Sequence, residues 1–414
     1  MPIIVQKYGG TSVGSVDRIQ AVADRVVTAR EDGNDVVVVV SAMGHTTDEL
    51  LAMAGGITTT PDARELDMLL TAGERIAMSL LGIAINARGC RAASYTGSQA
   101  GIMTDTQHGQ ARIVEIRPKR IMEALQAGNV VVLAGFQGLS LSQYEITTLG
   151  RGGSDLTAVA MAAAIGAGVC EVYTDVEGIF TTDPRVEPNA RKLDVVSYDE
   201  MLELAAAGAH VLQSRSVEYA RRTGVRLHVR SSFDDAPGTW VQEVADMEGV
   251  LISGVALDTR EAKVTLDHVP DRPGVAAKVF KAIAEEAISI DMIVQNVSHA
   301  GATDLSFTAP LSDIPRLQGV MDRVVKEIGA ERYTLDEDIA KVSLVGAGMK
   351  THPGVAADMF DCLASEGVNI EMISTSPIRI SCVIRKADGE KAVRMIHGRF
   401  ELDASGSSPG IATG

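Results

Sequence analysis

From Met1 to about Val241, short runs of β-branched residues alternate with longer alanine-rich stretches whose apolar positions recur at helical spacing. The runs predict strands over Ile3–Gln6, Val36–Ser41, Val130–Ala134, Glu171–Thr174 and Arg226–Arg230. The stretches between them predict helices over Val16–Arg30, Asp67–Arg88, Arg117–Ala127, Asp155–Ile165 and Tyr198–Ala206. Strands that are apolar throughout, and separated by helices, belong to a mainly parallel sheet covered on both faces. The expected class is α/β, a three-layer αβα domain over residues 1–243.

The segment DDAPGTWVQEVADMEG breaks this rhythm and marks a linker over 244–252, and an internal repeat follows. Pro273-Gly274-Val275-Ala276-Ala277 recurs at Pro353-Gly354-Val355-Ala356-Ala357, and Ile290-Asp291-Met292-Ile293 recurs as Ile370-Glu371-Met372-Ile373. Both pairs are offset by 80 residues, whereas Lys263 and Lys341 are offset by 78, so the loop between gained two. Each copy reads strand, Pro-Gly turn, amphipathic helix, strand; a proline opening a helix gives up only an orphan N–H. Two copies are too few for a solenoid, so paired α+β modules are expected over 253–334 and 335–403. The small, polar segment 404–414 reads as a disordered tail.

Composition narrows the function. The chain has 414 residues, enough for two or three domains. A net charge of −16 and 4% aromatics exclude a phosphate-backbone binder with stacking surfaces, so no nucleic-acid partner is expected. Cys90, Cys170, Cys362 and Cys382 are scattered without a CxxC, and no metal ligand set is expected. The N-terminus MPIIVQK has no basic region followed by a long apolar stretch. The longest apolar run, VVVVVSAM, is far short of a bilayer span, so the expected location is cytoplasmic, with no membrane partner.

Three glycine-rich stretches carry the candidate chemistry. In KYGGTSVG, Lys7 precedes Gly9 and Gly10, whereas a Walker A lysine follows its glycines, so this is not a P-loop. Glycines that admit backbone N–H groups, with Ser12 and a helix start behind them, still suit phosphate. In TTLGRGGSDLTAVA, Arg151 stands among glycines and can grip a carboxylate in a bidentate fork. Asp155 can hold a substrate ammonium or merely cap its own helix. In VYTDVEGIFTTDPR, Thr174 and Asp175 end a strand, where ligands of parallel sheets sit, as does Ser41. Glu74 in LLTAGER lies between apolar residues on a helix; a solvated face is the common explanation, a half-buried carboxylate with a purpose the other.

Taken together, KYGGTSVG, VVSAMGHTTDEL, LLTAGER, TTLGRGGSD, YTDVEGIFTTDPR and the paired repeats resemble the aspartate kinases, amino-acid-kinase-family enzymes with tandem C-terminal ACT domains of βαββαβ type. The resemblance runs from Met1 to about Leu402. It implies transfer of phosphate from ATP, with Mg²⁺, to the β-carboxylate of L-aspartate, the first step toward lysine, threonine and methionine. A carboxylate is already ionised at neutral pH, so catalysis would rest on positioning and charge neutralisation rather than a general base.

By the same resemblance Lys7 would span the transferring phosphate, with Gly9, Gly10 and Ser12 donating around it. Arg151, with Gly152, Gly153 and Ser154, would take the α-carboxylate of aspartate, and Ser41 and Thr47 would line its pocket. Glu74 and Asp155 would surround the ammonium or orient Lys7 and Mg²⁺; the sequence does not separate these roles. Thr174, Asp175, Phe180, Asp183, Arg185 and His210 would hold the nucleotide. Asp271, Pro273, Gly274, Gln295 and Asn296 would bind regulatory lysine, threonine or both, with Asn369 contributing from the second copy. A homo-oligomer through the ACT domains is implied, and Met247 leaves room for an internally initiated regulatory subunit.

Two positions depart from the family pattern. His210 stands where a lysine is usual near the nucleotide, which predicts weaker ATP binding or a pH-sensitive rate. Pro377 stands where many relatives carry glutamate, beside the second effector loop. Rival readings are a sister kinase for glutamate, acetylglutamate or a nucleoside monophosphate, and a non-catalytic amino-acid sensor. A fused dehydrogenase is not expected, because GAGMKTH lacks the third glycine of a dinucleotide fingerprint.

Overall fold

The five apolar runs become five adjacent strands of one sheet in the computed structural model, which describes residues 1–209, 211–244, 252–296, 301–352 and 354–403. His210, Met247 with most of the expected linker, Pro353 and the tail from Ala404 lie outside the described residues. The chain divides into two compact units.

The first unit contains β1 (Ile3–Tyr8), α1 (Val16–Glu31), β2 (Asp35–Val40), α2 (Thr46–Ile57), α3 (Ala63–Ala87), β3 (Ala92–Tyr95), β4 (Ile102–Thr104), β5 (Ile113–Ile116), α4 (Lys119–Gln126) and β6 (Val130–Ala134). It continues through β7 (Gln137–Ser140), β8 (Ile146–Thr148), α5 (Gly153–Ile165), β9 (Val169–Thr174), β10 (Val195–Ser197), α6 (Tyr198–Ala206), α7 (Ser214–Thr223), β11 (Arg226–Ser231) and β12 (Thr239–Gln242). The main sheet has the order β10-β12-β11-β9-β1-β2-β6-β3, and every pair in it except β11 with β12 is parallel. In β2, Val36 to Val40 are all fully buried, because helices cover both faces of the strand. α1 and α3 pack over Val36, Val38, Val40, Val130 and Val132, and α5 lies against β1 on the opposite face. β4, β5, β7 and β8 form a second, smaller sheet, which the sequence patterning did not suggest.

Among the described residues, α3 alone is long and apolar enough to cross a membrane. It is a core helix instead: half of that apolar stretch is buried, and its buried stripe includes the carboxylates of Asp67 and Glu74.

The second unit holds Phe180–Arg191, Ala206–Ala209 and the two repeats. Its elements are β13 (Gly254–Asp258), β14 (Glu261–Pro270), α8 (Val275–Glu285), β15 (Ile293–Gln295), β16 (Ala302–Pro310), α9 (Ile314–Ile328), β17 (Arg332–Asp336), β18 (Ile339–Val345), α10 (Val355–Ser365), β19 (Met372–Ser376), β20 (Arg379–Arg385) and α11 (Gly389–Arg399). The first repeat is a βαββαβ module whose sheet runs β15-β16-β14-β17. The second sheet runs β13-β18-β20-β19, so its fourth strand is β13, which precedes the first repeat in the chain. This corrects the expected range 253–334 for the first repeat: Gly254 to Asp258 pair with Val345 to Lys341 of the second. The reason is symmetry, since β13 takes the edge position that β17 takes in the first sheet.

The two repeats meet through reciprocal charges. Lys341, with no exposed side-chain surface, lies 2.5 Å from Asp291 and 2.6 Å from Glu261. Lys263, its counterpart in the first copy, pairs with Glu371, the counterpart of Asp291, and Glu371 also takes Arg385 at 2.6 Å. Met292, Met372, Ile339 and Val383 form an apolar cluster at the same junction.

Candidate active site

The loops that follow β1, β2, β6, β9 and β11 converge because parallel strands deliver all their carboxyl ends to one edge. After β1, the Gly9 N–H donates to the Tyr173 carbonyl, and Gly44 N–H donates to the Gly10 carbonyl at 3.0 Å. A Cβ on Gly10 would lie 2.9 Å from the Ala42 carbonyl oxygen, so glycine is required for the two loops to approach. The Ser12 and Ser232 hydroxyls are 2.6 Å apart, tying the β1 loop to the segment after β11.

Lys7 leaves β1 toward α5, where its ammonium lies 2.6 Å from Asp155; both side chains are about nine-tenths buried. The N-cap of α5 is Gly152, in the left-handed region, with no side-chain cap bond. Asp155 stands in the first turn of α5 rather than at its N-cap, and its carboxylate pairs with Lys7. A Cβ on Gly152 would collide with Gln213, so the residue after Arg151 must be glycine both for its φ of +70° and for space. Arg151 is exposed and has no ion-pair partner among the described residues.

Glu74 is 3% exposed, which removes the solvated-face alternative. Burial pushes its carboxyl up to about 7, against the backbone N–H donations from its own residue and Ala42 that favour the charged form. Ala42 N–H reaches one oxygen at 3.3 Å, whereas the other, Oε2, is buried without a partner. A buried acceptor without a partner suits a ligand donor. Gly73 makes the approach possible, because a Cβ there would come 2.8 Å from that of Ala42.

The remaining expected residues distribute as follows. Ser41 and Thr47 are half-buried on the loop after β2 and at the start of α2, Gly153 and Ser154 are buried at the start of α5, and Thr174 donates to the exposed Asp175 at 3.1 Å. Phe180, Asp183 and Arg185 belong to the second unit. There Arg185 grips Asp183 through two nitrogens, holding its carboxyl below the ordinary range. Thr181 beside them bonds to His397 at 2.9 Å and to the Leu402 carbonyl at 3.1 Å.

In the first repeat, Asp271, Pro273, Gly274 and Gln295 line one cavity of about 530 Å³ with Arg272 and the first turn of α8. Asn296 and Asn369 do not line it; the cavity is built within the first repeat, and Asn369 sits after α10 of the second.

The sequence reading missed the groups that brace the loop before Arg151. Asp67, 1% exposed, accepts from Thr148 Oγ1 at 2.5 Å and Gly109 N–H at 3.1 Å, and meets His108 Nδ1 at 2.7 Å. Arg215 donates to the carbonyls of Leu149 at 2.6 Å and Ala111 at 3.0 Å. The available signal was position: Asp67 stands seven residues before Glu74, two turns along the same buried helix face.

Residues 2–231 match the amino acid kinase family, and residues 263–329 and 342–400 each match the ACT domain. The chain is 52% identical over 407 residues to the aspartokinase of Corynebacterium efficiens, covering 97% of both chains. It is also similar to crystal structures of Escherichia coli aspartokinase III at 26% identity. The complex with aspartate and ADP, in the R-state, superposes with a TM-score of 0.83, covering 96% of this chain and 100% of that one. The complex with lysine and aspartate, in the T-state, gives 0.73, covering 96% and 99%. A mainly parallel kinase sheet with its glycine loops at one edge, two ACT modules and near full-length identity agree: this chain belongs to the aspartokinase family and is an aspartate kinase with allosteric ACT domains.

Proposed function

We propose that the chain transfers the γ-phosphoryl group of ATP to the β-carboxylate of L-aspartate, giving 4-phospho-L-aspartate, the first step toward lysine, threonine and methionine. The observation that carries this reading is the buried Lys7–Asp155 pair at the strand edge, with the open oxygen of Glu74 in the same unit. The acceptor carboxylate is ionised at neutral pH and needs no base, so the protein's work is to align two anions and neutralise charge as it develops.

In this reading Lys7, held by Asp155, spans the transferring phosphate and the attacking carboxylate, and the loop of Gly9, Gly10 and Ser12 lies against the phosphate oxygens, with the Gly10 N–H and the Ser12 hydroxyl as donors. Arg151, free to fork, binds the α-carboxylate, with Gly152, Gly153, Ser154, Ser41 and Thr47 around it. Glu74 Oε2 accepts from the substrate ammonium. Thr174, Asp175, Phe180, Asp183, Arg185 and His210 bind the nucleotide. Among the described residues no cluster of three metal-ligating side chains occurs. Mg²⁺ is commonly held by phosphate oxygens and one or two carboxylates, here Asp155 or Asp175. When bound, the ion would neutralise phosphate charge.

The cavity at Asp271, Pro273, Gly274 and Gln295 would bind lysine or threonine. Asp271 would take the ammonium, and the start of α8 would face the carboxylate. Lysine is bound in the E. coli aspartokinase III structure of 0.73 TM-score, which supports this class of effector. A cytoplasmic homo-oligomer, with or without a subunit initiated at Met247, completes the proposal. The test is ATP turnover with L-aspartate, trapping the acyl phosphate as its hydroxamate, repeated with lysine, threonine and both. Hydroxamate that requires aspartate and falls with an effector supports it. Turnover with glutamate but not aspartate, or effector binding without turnover, would refute it.

A further inference from the structure

We propose that Asp67 and Arg215 are positioning residues for aspartate, acting through the loop that carries Arg151. The inference rests on the reading that Arg151 binds the α-carboxylate. Arg151 is itself exposed and unpaired among the described residues, so nothing at its own side chain fixes where the guanidinium stands. A long side chain binds well only if its base is fixed, since the entropy lost in ordering a mobile loop offsets the binding energy its tip supplies.

The base is fixed twice over. On one side, the buried carboxylate of Asp67 takes Thr148 Oγ1, Gly109 N–H and His108 Nδ1, so a single group on α3 joins the end of β8 to the 108–109 turn. The His108 Nε2 also lies 3.5 Å from Glu145 Oε2, on the far side of the ring from Asp67. On the other side, Arg215 at the start of α7 clamps the carbonyls of Leu149 and Ala111, while Ala111 N–H donates to the Thr148 carbonyl and Leu149 N–H to that of Phe136. Gly150 then turns at φ +75° with its missing Cβ facing the Gly109 carbonyl at 3.1 Å. The links reach Thr148, Leu149 and Gly150, the run directly before Arg151, from two helices that do not otherwise share a role. Fold stability alone needs no such convergence on one exposed arginine.

The two braces act on aspartate and not on the nucleotide, which separates positioning from general structural support. The full-length chain would be compared as Asp67→Asn, Arg215→Ala, Arg215→Lys and Arg151→Ala. Tyr198→Phe, which removes a buried hydroxyl bond to the Val225 carbonyl in the same unit, is the structural control. KM for aspartate should rise about tenfold in Asp67→Asn and Arg215→Ala, with KM for ATP within twofold, since small misplacements of a binding group cost up to about a hundredfold. Arg215→Lys, keeping one donor on Leu149, should recover part of the loss. Tyr198→Phe should lower the melting temperature with both KM values unchanged. If Arg151→Ala raises KM for aspartate and neither Asp67→Asn nor Arg215→Ala does, the inference is wrong while the reading of Arg151 stands. If Arg151→Ala leaves that KM unchanged, the reading of Arg151 fails and takes this inference with it. Should Asp67→Asn not fold, Arg215→Ala against Arg215→Lys decides alone.

Discussion

Replacing Lys341 with methionine measures what the reciprocal charges between the repeats contribute. The ammonium has no exposed surface and sits within 2.6 Å of both Glu261 and Asp291. Burial pulls its pKa down, and the two carboxylates more than reverse this, leaving it raised. Methionine fills much of the same volume but strands two carboxylates facing each other, one of whose oxygens, Glu261 Oε2, already lacks a partner. Breaking a buried pair costs about 3–5 kcal/mol, and Asp291, 31% exposed on its side chain, argues for the lower end. At an m-value of about 2–3 kcal/mol/M this moves a urea midpoint by roughly 1 M. The assay is urea unfolding of the full chain followed by circular dichroism and by fluorescence of Trp240, the single tryptophan, which reports the first unit. Loss should appear in the dichroism transition, and the triple variant Lys341→Met, Glu261→Gln, Asp291→Asn should recover most of it. Because the folded pKa is raised, the stabilisation is complete below about pH 10 and disappears as pH rises through the folded value. A single-variant loss under about 1 kcal/mol, the range of exposed pairs, would refute the argument, as would a triple variant no better than the single.

Other outcomes follow from the same geometry. With its carboxyl at about 7, Glu74 gains charge as pH rises from 6 to 8, so KM for aspartate should fall across that window; Glu74→Gln should raise KM about tenfold to a hundredfold and flatten the profile in steady-state kinetics. Lys7→Met should lower kcat about a hundredfold to a thousandfold, as removal of a group that stabilises developing charge does, measured by single-turnover hydroxamate formation. Gly10→Ala forces its Cβ against the Ala42 carbonyl at 2.9 Å and should raise KM for ATP several-fold, read by initial rates. Asp271→Asn should raise the lysine or threonine concentration for half-inhibition about tenfold, checked by titration calorimetry.

Strands buried on both faces were the easiest part of the fold to read from sequence, since their apolar runs need no partner to be recognised. Val130–Ala134 is predicted to the residue, and Tyr198–Ala206 likewise among the helices. Helix α2 was invisible because none of its residues is buried and Gly55-Gly56 interrupts its last turns. The three- and four-residue strands of the small sheet carry too few positions to show a period. Strand β13 was assigned to the wrong repeat because its partner β18 lies some eighty residues away, and local pattern carries no information about such pairing. At the site, the glycine loops and Lys7, Arg151 and Asp155 stand in the sequence as unusual residues in unusual company. Asp67 and Arg215 do not, since their role consists of bonds to backbone and hydroxyl groups in distant segments.

The placement of β13 also determines how the first repeat is suspended. That module leaves the second sheet after Asp258 and returns at Ile339, and each crossing is only two residues long, Thr259-Arg260 outward and Glu337-Asp338 back. Both crossings are held, Arg260 by the Leu311 N–H at 2.8 Å and Asp338 by the Lys386 N–H at 3.2 Å. A module hung from one tether swings freely; one hung from two short tethers on neighbouring strands is restricted to tilting about the line between them. An effector in the proposed site at Asp271 would therefore have few ways to be absorbed locally, and a tilt of the module would pull on β13 and β18 together. One of those strands, β13, carries the N–H of Val255, which donates to the Thr181 carbonyl at 2.7 Å, two residues before Asp183.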